Sequence, residues 1–151
     1  QPYPPTEKQI LFTTNYLLKK HKLDNIYLCT EDVEFLNFFK KKYKSILLYN
    51  NSPRTNDKID LFDCPSKKHR YYVGKGNLID MLNLSKTNHM LFAPSNIPEA
   101  AIFFSDRKIP HCNIDNGIKG NIFISQFSYY FKKKIPEWLG GFKENNFVEK
   151  K

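Results

Sequence analysis

Three cysteines in 151 residues, Cys29, Cys64 and Cys112, with no CxxC pair among them, are too few and too far apart for a disulfide framework or a cysteine-based zinc site. The four histidines, at 21, 69, 89 and 111, show neither HxxxH nor HExxH spacing, so no metal site is expected. No GxSxG elbow is present, which removes the commonest serine-hydrolase signature. The nearest approach to a glycine-rich phosphate loop is Gly74-Lys75-Gly76, far short of a dinucleotide or P-loop fingerprint and read as the end of a loop. No apolar run approaches the ~18 residues of a membrane-spanning helix, and the opening QPYPPTEK lacks a signal-peptide core, so no transmembrane segment is expected. That opening, Pro-rich and without Met, reads as a linker from the middle of a longer protein.

Arginine is also scarce. Only Arg54, Arg70 and Arg107 stand among 24 basic residues, although the formal net charge is +9. The excess is +5 over residues 1 to 80 (fourteen basic against nine acidic) and +4 over the rest (ten against six), so it is spread rather than patched. Readers of nucleic acid usually concentrate Arg forks on one stripe, and the short Lys runs at 40–42 and 132–134 read instead as solvated faces. No nucleic-acid partner is expected.

What the chain does have is a 40% hydrophobic fraction arranged in alternating periods, enough for one domain of ordinary size. Residues 6 to 22 place Ile10, Leu11, Thr14, Leu17 and Leu18 on one helical face behind Thr6, a candidate N-cap. NIYLCT at 25–30 reads as a buried parallel strand, with Cys29 a buried thiol. Val33, Leu36, Phe39 and Tyr43 then recur at helical spacing, and SILLY at 45–49 is the next strand. Residues 50 to 75, rich in Asn, Asp, Ser, Pro and Lys, read as a long loop containing a short strand at 59–62. A helix from Gly76, a strand at 89–93, a helix opening near Pro98 and Glu99, and a strand within 110–115 follow. Residues 122–131 fit either a strand or an amphipathic helix, and 135–142, with the single Trp138, reads as a terminal packing segment. The alternation predicts a parallel α/β sheet flanked by helices, whose ligands bind beyond the carboxyl ends of the strands.

Two polar tips stand at such ends. Thr30, Glu31 and Asp32 follow one strand, and Ser95 and Asn96 follow another at the start of a helix, where unpaired backbone N–H groups and the helix dipole suit a diphosphate. Simple capping is the competing account at both places. Asp80, three residues after Asn77, is either a capping-box partner or a carboxylate able to accept from the N1–H and exocyclic amine of guanine.

IYLCTED at 26–32, the strand SILLYNN, and GNLIDMLNLSKTNHMLFAPSN at 76–96 together resemble the C-terminal, Rossmann-like donor half of GDP-fucose-dependent fucosyltransferases of the α1,6 and NodZ type, related to protein O-fucosyltransferases and α1,2-fucosyltransferases. The similarity covers about residues 24 to 104. It implies a GT-B-like α/β domain over residues 1–151, with a loop at 50–75 and a tail at 121–151. By position, Asp80 resembles the guanine-recognising Asp, Ser95 and Asn96 the pair at the GDP phosphates, and Thr30 and Asp32 the TDD turn. The implied activity is transfer of fucose from GDP-fucose to a glycan or protein hydroxyl with no cofactor, in a secretory lumen if eukaryotic or the cytoplasm if bacterial. The family's HxRR-type motif is absent, and His69-Arg70 reads as loop rather than a displaced copy. An upstream acceptor half carrying that motif is therefore expected, and the isolated chain is expected to be inactive. A non-catalytic α/β interaction domain remains the alternative, with a basic nucleic-acid-binding domain behind it.

Overall fold

Helix α1, Glu7–His21, starts where the candidate cap Thr6 predicts, and the structure closes a capping box there: the Thr6 hydroxyl accepts from the Gln9 N–H at 3.2 Å, and the Gln9 side chain accepts from the Thr6 N–H at 2.9 Å. It ends at Lys22, whose left-handed φ of 50° turns its N–H onto the Leu18 carbonyl. The face it buries is rotated from the apolar one, however. Gln9, Thr13, Thr14 and Leu17 are buried, whereas Ile10, Leu11 and Leu18 are only half-buried.

The computed structural model describes residues 3–55, 68–117 and 122–150 as a mixed α/β protein of five helices and five short strands. Strand β1 (Ile26–Leu28) and β2 (Leu47–Tyr49) pair in parallel, Ile26 opposite Leu47, across helix α2 (Val33–Tyr43). Strand β3 (Met90–Phe92) and β4 (His111–Asn113) pair in parallel, Met90 opposite His111, and the chain between them carries helix α4 (Asn96–Phe103). A fifth strand, β5 (Val148–Lys150), runs antiparallel to β4 and sets Glu149 opposite Cys112. The described strands thus form two sheets, β1-β2 and β3-β4-β5, where the alternating pattern predicts one.

Two compact units result. Unit 1 gathers Gln1–Lys22, Asn88–Asn96 and Ile109–Lys151, and unit 2 gathers Leu23–Thr87 and Ile97–Lys108. In unit 2, Leu36, Phe39 and Tyr43 lie at i, i+3 and i+7 on α2 and are buried with Leu28, Val73 and Ala101. The Phe39 ring meets those of Phe35 (4.9 Å), Tyr43 (5.3 Å) and Phe38 (5.9 Å). In unit 1, Leu17, Met90, Ile109, Cys112 and Ile114 are buried around a polar core residue, Gln9. Its amide donates to Asn116 Oδ1 and the Lys143 carbonyl, both at 2.9 Å, and its oxygen accepts from Asn116 Nδ2 at 3.0 Å.

Several expectations need correction. Helix α3 runs His69–Leu84, so 69–75 is not loop: His69 is buried in its first turn, and Gly74-Lys75-Gly76 lies within it. No capping side chain announces this start, since Lys68 at the N-cap adopts a left-handed φ of 64° without a side-chain cap bond. The strand expected at 59–62 and Cys64 lie outside the described residues. The ambiguous segment at 122–131 is helical, as α5 (Ile122–Lys134). Trp138 is 81% exposed on a short 3₁₀ turn, Glu137–Leu139, and packs no core.

Candidate functional site

Asp80 is the structural centre of unit 2. It stands three turns into α3, so it caps nothing; its carboxylate, with the residue only 3% exposed, faces the end of β1. The Tyr27 hydroxyl donates to one oxygen at 2.6 Å, and the Cys29 thiol to the other at 3.5 Å. Asn83, three residues further along α3, donates to the Tyr27 oxygen at 2.9 Å and completes the chain of bonds. Burial of a carboxylate without an ion pair is costly, and these donors are what offset it.

The carboxyl ends of β1 and β2 are laced together beside this carboxylate. Thr55 pairs with Asp32 in a parallel bridge, the Thr55 N–H donating to the Glu31 carbonyl and the Val33 N–H to that of Thr55. Asp32 is the N-cap of α2, its Oδ1 accepting from the N–H groups of Glu34 (2.7 Å) and Phe35 (3.1 Å). The Thr30 hydroxyl accepts from the Asp32 N–H at 3.2 Å. Of the two accounts of this turn, capping is therefore realised by Asp32.

Arg54 is the residue that motif spacing missed. Its Nε donates to the Thr30 carbonyl at 3.0 Å, and its terminal nitrogens donate to the carbonyls of Ser52 (3.1 Å) and Asn50. The guanidinium also lies 5.6 Å from the Tyr49 ring centroid. It makes no ion pair among the described residues, so none of their carboxylates stands against this fixed positive charge at the ends of two parallel strands. Gly76 explains how α3 comes so near. A Cβ there would stand 2.6 Å from the Ser52 Cβ, and the Gly76 carbonyl accepts from Asn50 Nδ2 at 3.2 Å.

Ser95 and Asn96 open α4 directly after β3, as the sequence predicts, and both are exposed. They belong to unit 1, whereas Thr30, Asp32 and Asp80 belong to unit 2. Arg70 lies exposed in the first turn of α3, and Arg107 donates to the Lys86 and Thr87 carbonyls at 3.0 and 3.1 Å.

Burial pushes the Cys29 thiol up to about 12, with the Asp80 charge adding to it, and pushes the Tyr27 hydroxyl up to about 12, with the bond to Asp80 second in effect. Their unfolded-state values are 9.0 and 10.0. The folded protein therefore holds both protons more tightly than the unfolded chain. That stabilisation is fully present below pH 9 and is lost as pH rises toward 12. The urea midpoint is expected to fall across that interval, and to fall less steeply in Cys29→Ala; identical alkaline slopes would show that folding does not raise the thiol's pKa.

A second side-chain cluster lies in unit 1, where His21, His89 and Glu149 place one ligand-type atom each within 4.8 Å of one another. Spacing could not reveal it, because the three residues come from the end of α1, the residue before β3, and β5. No helix among the described residues is long and apolar enough to cross a membrane. Comparison of the chain with family models, with curated proteins and with solved structures finds no match.

Proposed function

We propose that the chain is a nucleotide-sugar-binding α/β module, fucosyltransferase-like, which takes GDP-fucose as donor for transfer to a glycan or protein hydroxyl. The observation that supports it most is the presence within unit 2, at the ends of two parallel strands, of a buried carboxylate and of an Arg that has no ion-pair partner among the described residues. GDP carries the complementary groups. A guanine edge offers two adjacent donors to Asp80, and a diphosphate offers the anion for Arg54. Arg54 thereby takes the part that the absent HxRR motif left open, and the leaving diphosphate would be stabilised by it. Ser95 and Asn96, at a helix start in unit 1, are a separate candidate for phosphate contact. Asp80 accepts guanine by exchange: its two oxygens have about four acceptor positions, of which Tyr27 and Cys29 occupy two.

Calorimetry with GDP, ADP and guanosine tests this reading. GDP is expected to bind at least about tenfold more tightly than ADP, since adenine lacks the donor pair, and more tightly than guanosine. Asp80→Asn should erase the preference for guanine, and Arg54→Ala should narrow the gap between GDP and guanosine. Equal affinity for GDP and ADP would overturn the assignment. No binding of either would favour the second reading, an interaction domain without a small ligand, for which the burial of Asp80 and its bonds to its own neighbours speak.

A further inference from the structure

We propose that His21, His89 and Glu149 form a binding site for a divalent transition-metal ion of the zinc class, clipping the last strand of unit 1 to its first helix. The His21 Nε2 and Glu149 Oε1 atoms are already 2.9 Å apart, and the two imidazole rings stack with centroids 4.5 Å apart. Donor atoms on one tetrahedral zinc, each about 2.0–2.1 Å from it, lie roughly 3.3 Å from one another. The ion therefore requires only that the hydrogen bond open slightly and the third donor close in from a spread of at most 4.8 Å. Two imidazoles and one carboxylate are a donor set that suits zinc and excludes magnesium or calcium, which take oxygen ligands.

The surroundings supply the outer contacts such ligands use. Lys20 holds the other oxygen of Glu149, leaving Oε1 for the ion. The Cys112 thiol lies 3.8 Å from His89 Nε2 and steadies that ring from the interior side. The backbone fixes the carboxylate as well, since Glu149 is registered opposite Cys112 by the β4-β5 ladder. His21 is exposed, so the ion has an entry path and a water can complete its coordination.

The test uses the whole chain, stripped with a chelator and titrated with Zn²⁺ by calorimetry and with Co²⁺ by visible absorption. One Zn²⁺ per chain is expected, with binding weakened at least about tenfold by His89→Ala and by Glu149→Gln. Bound Co²⁺ should show the visible bands of a low-coordinate nitrogen and oxygen site. Unchanged Zn²⁺ affinity in both folded variants would overturn the proposal. So would a strong thiolate charge-transfer band from Co²⁺ in the unmodified chain, because it would put the ion on cysteine. That second readout needs no variant to fold.

Discussion

Phe39→Ala should lower the stability of unit 2 by about 3–5 kcal/mol. The side chain is 2% exposed, and it is the ring that Phe35, Phe38 and Tyr43 all meet. Removal withdraws the largest fully buried side chain from water-free contact and leaves a void between α2 and its neighbours. The three remaining rings are anchored on the same helix and cannot converge to fill it. Chemical denaturation measures the loss, and hydrogen exchange locates it: the amides of β1 and β2 should lose protection. A loss below about 1 kcal/mol would show that the aromatic cluster collapses onto the site instead.

Gln9→Ala should cost unit 1 about 2–4 kcal/mol, a large effect for a polar residue. Helix propensity alone would favour Ala at this position. The opposing effect is stronger, because Gln9 is 1% exposed and supplies partners to the Thr6 N–H, to both polar atoms of the Asn116 amide and to the Lys143 carbonyl. Truncation removes the acceptor of the buried Thr6 N–H and one partner each from the Lys143 carbonyl and the Asn116 amide, which keeps its bonds to Pro4 and Asn146. Gln9→Glu separates the two halves of the network, keeping the acceptor for Thr6 and losing both donors. Denaturation should rank wild type above both variants, and a Gln9→Ala protein as stable as wild type would mean that the pocket fills with water at no net cost.

Local chemistry made much of the fold legible. Thr6 announces α1, Asp32 caps α2, and the short apolar runs coincide with β1 to β4 within a residue or two at each end. Helix α3 was hidden because its first turns carry two glycines and no capping side chain, and Gly76 is there for a close approach to Ser52 rather than to end a loop. The buried face of α1 was misjudged since Gln9 and Thr13 pass for surface residues until their surroundings are known. The site was legible in its carboxylate and not in its environment. Asp80 stood out by spacing, while its partners Tyr27 and Cys29 are 53 and 51 residues away, and Arg54 acts through backbone carbonyls that no motif encodes. Partition into two sheets depends on which strands meet, a long-range matter that periodicity does not carry.

The composition of unit 1 from three separate stretches of chain has a consequence for synthesis. Every residue of unit 2 has been added by Lys108, whereas α1, made before any of them, waits for Glu149 before His21 and Lys20 meet their partner. At about 5–20 residues per second, the stretch from Lys108 to Glu149 takes roughly 2–8 s to follow. During that interval β4 has one edge without its strand, and the amide of Gln9 lacks the Asn116 and Lys143 groups it will bind. Nascent chains halted just past β4 thus present a strand edge that β5 covers once unit 1 is complete, and arrival of β5, more than formation of any helix, closes that edge.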